Sequence, residues 1–200
     1  SNINRSLKLQ SAVANGKEPE WVRHYASGLA PASDQANDIA IDNQGNIYVT
    51  GYSDGSGTDE DYVTVKYNSQ GEEQWVARYN GPGNYDDEAY ALAVDNFGNV
   101  YVTGYSYGSG TYSDYATVKY NSQGEEQWVA RYNGPTNSYD YAYALAVDNF
   151  GNVYVTGYSR GSETDRDYAT IKYNSQGEEQ WVARYNGPGN YDDEACALAV

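Results

Sequence analysis

Between Glu88 and Tyr132 the chain breaks into four short stretches in which β-branched and aromatic residues alternate with smaller or polar ones, each bounded by turn chemistry. Segment A, Glu88 to Val94, ends in the aliphatic run Ala91-Leu92-Ala93-Val94. Segment B runs from Asn99 to Ser106, C from Asp114 to Tyr120 and D from Glu126 to Tyr132. The A to B link, Asp95-Asn96-Phe97-Gly98, and the C to D link, Asn121-Ser122-Gln123-Gly124, are Gly-containing hairpin turns in which Asp and Asn side chains can hold local amides. In D, Trp128, Ala130 and Tyr132 share one face while Val129 and Arg131 take the other. Both faces therefore carry large side chains, as a strand pressed between neighbouring sheets requires.

The same pattern returns at a fixed interval. Asp42-Asn43-Gln44-Gly45-Asn46 recurs at Asp95 and again at Asp148, a period of 95 − 42 = 148 − 95 = 53. Residues 42–94, 95–147 and 148–200 align without a gap, and the first two copies differ at ten positions. Trp75, Trp128 and Trp181 keep the period, and Trp21 lies 54 residues before Trp75, so residues 1–41 read as a degenerate partial repeat: Ser6 to Ala14 as C, Glu20 to Ala26 as D and Asn37 to Ile41 as A.

Four antiparallel strands per repeat of about 50 residues is the arithmetic of a β-propeller blade, whose twisted sheet stacks its faces on its neighbours around an axis. The expected fold is all-β: one continuous propeller domain with four-stranded antiparallel blades, A innermost beside the axis and the Trp-bearing D outermost. A solenoid is the competing architecture, with repeats that are usually shorter or helical. Strand order runs C, D, then A-B-C-D three times, then a lone A strand at Ala195 to Val200, giving three complete blades plus partial terminal strands. Such an arc belongs to a larger propeller, or subunits complete one another head to tail, or the last blade is irregular.

The string Asp95-Asn96-Phe97-Gly98-Asn99-Val100-Tyr101-Val102-Thr103-Gly104-Tyr105-Ser106, followed by Asp114 to Asn121 and by Gln127-Trp128-Val129-Ala130-Arg131-Tyr132-Asn133-Gly134-Pro135, resembles the bacterial SBBP-type β-propeller repeat. The likeness covers residues 42–200 and fades over 1–41. It implies an exported or surface-attached bacterial protein without catalytic residues.

Composition narrows the function. With 28 acidic against 12 basic residues the formal charge is −16, so DNA or RNA would be repelled. Apolar runs such as Ala89 to Val94 are far below the roughly 20 residues of a membrane helix. Twenty-four Tyr and 21 Gly beside no Met suit strands and turns. The chain opens on Ser1, read as a processed end and hence as export, so the expected location is secreted or at the cell surface. His24 is the only histidine and Cys196 the only thiol, set in a degenerate segment and in the final A strand. A Ser/His/Asp or Cys/His arrangement would have to rest on them unsupported, and the expectation is no enzyme.

Candidate chemistry lies where the copies differ. The B to C loops, 54–61, 107–114 and 160–167, exchange Asp54 for Tyr107 for Arg160 and Glu60 for Ser113 for Arg166, while the D to A connections exchange Gly83-Asn84-Tyr85-Asp86 for Thr136-Asn137-Ser138-Tyr139. In a propeller both sets lie on one face, and the nearly invariant turns lie on the other. The functional reading is a loop-built binding rim on a rigid scaffold; drift in exposed loops is the plain alternative. Tyr85, Tyr107, Tyr112, Tyr139 and Tyr191, with Arg160 and Arg166, are the rim candidates, for a glycan or protein partner, with phenol rings offering an apolar face and a polar tip. Identical subunits are the other partner considered, in a fibre or surface lattice. No cofactor is expected beyond a weak calcium alternative at Asp54, Asp59 and Asp61, whose spacing fits no EF-hand loop and is not repeated in copy two.

Overall fold

A computed structural model of the chain describes residues 21–29 and 32–200, and twelve strands run through them in three antiparallel sheets. Blade 1 is β1 (Asp34–Ile41), β2 (Ile47–Asp54), β3 (Glu60–Tyr67) and β4 (Glu73–Tyr79). Blade 2 is β5 (Asp87–Val94), β6 (Val100–Tyr107), β7 (Ser113–Tyr120) and β8 (Glu126–Tyr132). Blade 3 is β9 (Asp140–Val147), β10 (Val153–Arg160), β11 (Arg166–Tyr173) and β12 (Glu179–Tyr185). Within each sheet, spatial order follows chain order, so every pairing is a hairpin. The all-β propeller architecture is the one expected, and segment D coincides with β8.

The first strands lie innermost: β5 packs against β1, β2 and β3, and β9 against β5, β6 and β7. Each core is therefore shared by two blades. Tyr48, Tyr62, Ala77 and Tyr79 of blade 1 are buried with Leu92, Val100, Val102, Val118 and Tyr120 of blade 2, and the equivalent cluster joins blades 2 and 3. Tyr101 and Tyr120, on faces that stack blade on blade, are fully buried. A bulge in β5 between Ala89 and Ala91 brings the Glu88 carbonyl against Gly104, where a Cβ would lie 1.9 Å from that oxygen, so only glycine fits.

Two devices bind blade to blade. The Trp75 ring lies on Gly124 of the next blade's C to D turn and its Nε1 donates to the Ser122 carbonyl at 3.2 Å; Trp128 does the same to Gly177 and Ser175. Trp21 lies on Gly71 in the same way, although residues 21–26, expected to form a D strand, are irregular. The second device is an arginine on the other face of D. Arg131 donates to the Tyr79 hydroxyl of the preceding blade, to Ser106 Oγ and carbonyl, and to Asp114 at 2.9 Å. Arg78 and Arg184 repeat the pattern around Asp61 and Asp167.

Asp87 and Asp140 begin β5 and β9 fully buried. Asp87 accepts from the Gly81 and Tyr107 amides, yet burial outweighs these bonds and pushes its carboxyl from 3.8 up to about 6. A raised carboxyl pKa means that the folded state holds the proton more tightly than the unfolded chain. Its contribution is then most favourable below about pH 4 and is lost as pH rises through about 6. Urea midpoints of wild type and Asp87→Asn from pH 3.5 to 7 should show the variant gaining relative to wild type as pH rises; parallel curves would refute the assignment.

The expected lone strand at Ala195 to Val200 is not formed. In blades 1 to 3 the first strand pairs with the strand that follows it in the chain, whereas Ala195 to Val200 shares no ladder with any described strand. Cys196 is accordingly exposed and not part of an inner strand. The expected C segment at Ser6 to Ala14 lies outside the described residues. No helix among the described residues is long and apolar enough to cross a membrane.

Candidate functional site

The variable segments meet on one face. The Gly83 amide donates to the Tyr107 carbonyl at 3.1 Å, Thr136 Oγ1 to the Arg160 carbonyl at 3.1 Å, and the Asp193 amide to the Arg166 carbonyl at 2.6 Å. Each D to A connection is thus tied to a B to C loop. A left-handed asparagine closes each connection, Asn84, Asn137 and Asn190 with φ of 51, 48 and 51°. Asparagine tolerates this region because its short amide bonds locally, here to Asn80, Asn133 and Asn186.

Around an invariant tyrosine in the second strand of each blade (Tyr52, Tyr105, Tyr158), the surroundings differ in chemistry. Blade 1 offers carboxylates: Glu60 is pushed up to about 7 by burial and by Glu88, Asp86, Asp54 and Asp59. Blade 2 offers rings. Tyr105 packs 4.3 Å from Tyr141 and donates to Glu88 at 2.7 Å, Tyr85 meets Tyr107 edge-on at 5.8 Å, and Tyr112 meets Tyr139 at 4.9 Å. Blade 3 mixes rings and opposite charges. Tyr141 stacks on Tyr158 at 5.2 Å, the Arg166 guanidinium sits 4.4 Å over Tyr158, and Arg166 pairs with Glu194 at 2.5 Å. Tyr139, Tyr141, Tyr158, Arg160, Asp165, Arg166 and Asp192 line a cleft of about 380 Å³.

Of the rim candidates, Tyr139, Arg160 and Arg166 line this cleft, and Tyr112 reaches it through Tyr139. Tyr85 and Tyr107 form a second contact on blade 2. Tyr191 stands apart, 80 % exposed with its ring over Gly189. Sequence reasoning missed Tyr105, Tyr141, Tyr158 and Glu194. The signal was available: Glu88, Tyr141 and Glu194 occupy one repeat position, two residues beyond the connection that was singled out, and it changes between copies. In the acidic loop the carboxylates bond within the protein. Asp54 Oδ2 accepts from the Ser33 amide and Asp61 Oδ2 from Arg78 and Thr58, and no group of three His, Cys, Asp or Glu placed to share an ion occurs among the described residues. His24 lines a hollow over blade 1, whereas Cys196 lies near Tyr143 of β9, so the only imidazole and the only thiol are not brought together.

The SBBP β-propeller repeat matches residues 20–57, 74–110 and 127–162. No curated protein matches the chain. Among solved structures, an α-L-arabinofuranosidase from Clostridium thermocellum aligns at a TM-score of 0.44 and 16 % identity over 74 % of this chain, which spans about half (52 %) of that enzyme's length. A fucose lectin from Kordia zhangzhouensis, solved with methyl-fucoside, aligns at 0.40 and 12 % identity, covering 74 % of this chain and 96 % of the lectin.

Proposed function

The chain belongs to the SBBP β-propeller repeat family, and on that premise we propose that it is a non-catalytic binding scaffold, secreted or at the cell surface, whose variable rim receives a macromolecular partner. The observation that carries this reading is that positions differing between near-identical copies converge on one face and there build three different chemical environments. Loops rich in Tyr, Ser, Gly and Asn with occasional Arg, held on an unchanging framework, are the composition of adaptable protein-binding surfaces. Rigid phenol rings supply area at low entropic cost, and Arg160 and Arg166 supply polar anchors. A protein is therefore the favoured partner and a glycan the other outcome.

Labelled protein should bind on arrays of secreted proteins and glycans, and the combined substitution Tyr112→Ala, Tyr139→Ala and Arg166→Ala should lower that binding tenfold or more, by about 1.4 kcal/mol or more, with the circular dichroism spectrum unchanged. Binding that survives the triple change would remove the rim from consideration.

A second reading has its own observation. Trp181 is 42 % exposed where Trp75 and Trp128 are sheltered, and Ile39 and Ile41 on β1 are 62 % and 67 % exposed. These outer faces carry the groups that internal interfaces cover, so a further blade, from the same polypeptide or a second copy, would cover them too. Light scattering across a concentration series reads this directly: head-to-tail assembly requires particle mass to rise with concentration.

A further inference from the structure

The face opposite the rim repeats one pocket at both blade interfaces, about 310 Å³ between blades 1 and 2 and about 380 Å³ between blades 2 and 3. In the second, blade 2 contributes Asp95, Tyr101 and Lys119, and blade 3 contributes Asn149, Phe150 and Ser175. Residues 53 earlier line the first pocket, with Gln44 in place of one phenylalanine. Lys119 Nζ sits 5.1 Å over the Tyr101 ring, and its bond to the Ser175 carbonyl is long at 3.4 Å, which leaves the ammonium with donors to spare. The carboxylates, by contrast, are occupied. Asp95 Oδ1 accepts from the Phe97 and Asn99 amides, and Oδ2 from Asn99 and Tyr101.

Phe97 and Phe150 stand at the pocket mouths 82 % and 85 % exposed. The turn does not need them. In blade 1 Gln44 occupies the same position, and its amide makes the same bond to Asp42 Oδ1, 2.8 Å against 2.9 Å for Phe97. Two bare phenyl rings, one per blade and each lining a pocket, thus present an apolar surface that the turn does not require.

We propose that this second face binds a neutral linear polysaccharide: a sugar ring lies its C–H face on Phe97 or Phe150, and its hydroxyls take hydrogen bonds from Lys119 and Asn149, or from Lys66 and Asn96 in the neighbouring pocket. Neutrality follows from two signs of charge: the chain's −16 repels an anionic polymer, and Lys119 and Lys66 in the pockets repel a cationic one. Linearity follows from the repetition, since two like pockets one blade apart engage successive parts of one strand and add by effective concentration.

The experiment is native affinity electrophoresis of the whole chain in gels containing mixed-linkage β-glucan, pullulan, hydroxyethyl cellulose or, as the anionic comparison, alginate. Retardation is expected in at least one neutral gel and not in alginate. Phe97→Gln with Phe150→Gln, substitutions that blade 1 already accommodates, should weaken it about tenfold or more. The rim substitutions at Tyr112, Tyr139 and Arg166 should leave it unchanged, so failure of this site and failure of the rim are read separately. No retardation in any neutral gel, retardation in alginate alone, or retardation indifferent to the two phenylalanines overturns the proposal.

Discussion

Arg131→Met is expected to destabilise the protein by about 3–5 kcal/mol, the cost of leaving a buried charge without its partner. Asp114 is 4 % exposed, its Oδ1 is buried without a hydrogen-bond partner, and its Oδ2 is held by Arg131 and the Thr111 hydroxyl alone. Methionine keeps the stem's packing and deletes the charge together with the bonds to Tyr79 and Ser106. Asp114 is then buried without a cation, and Asp87 loses the nearby Arg131 charge that favours its ionised form. Combining Arg131→Met with Asp114→Asn should recover part of the loss, because the stranded charge is gone. Urea denaturation of the four corners of this cycle decides it. Equal losses in Arg131→Met and the double variant would place the arginine's contribution in its bonds to Tyr79 and Ser106 and not in pairing with Asp114.

Trp128→Ala should cost about 3 kcal/mol, the lower end for a large core aromatic since the ring is only half buried. The loss has two parts, the ring's contact with Tyr101, Tyr173 and Gly177 and the Nε1 bond to the Ser175 carbonyl. Gly177→Ala approaches the same contact from the other side. Its φ is +81° and an added Cβ would sit 2.6 Å from Trp128 Cδ2, so left-handed strain of about 1–2 kcal/mol adds to displacement of the ring. Tryptophan emission should shift to the red in both variants. A loss in Gly177→Ala without that shift would place its cost in the backbone alone.

The period of 53 and the turn chemistry made the strands legible almost to the residue, because hairpins between consecutive strands are encoded locally: D was placed at Glu126 to Tyr132, where β8 lies. Side-chain pattern alone does not settle a strand. Ala195 to Val200 repeats the aliphatic pattern of β5 almost letter for letter and is nevertheless irregular, because a strand is defined by its ladder as well as by its side chains. The rim was legible as a set of changing positions, but not as clefts. That Arg166 would sit over Tyr158 and pair with Glu194 depends on how β11 and the segment after β12 approach, and nothing within either segment encodes it. The exposed phenylalanines were hidden for the opposite reason. They sit in turns that otherwise scarcely vary, where a single exchange of Gln44 for Phe97 and Phe150 stands apart from the variable rim.

The tryptophan that rests on the following blade's glycine has a genetic corollary. Trp21, Trp75 and Trp128 meet Gly71, Gly124 and Gly177 in the same geometry, so each junction accepts any unit of the series. Unequal crossing-over between the near-identical coding segments would add or drop 53 residues while leaving every joint intact: loss of residues 95–147 simply presents Gly177 to Trp75. Copy number in such a gene then changes without altering the joint between any two neighbouring blades, and a new rim loop enters already mounted on the same frame.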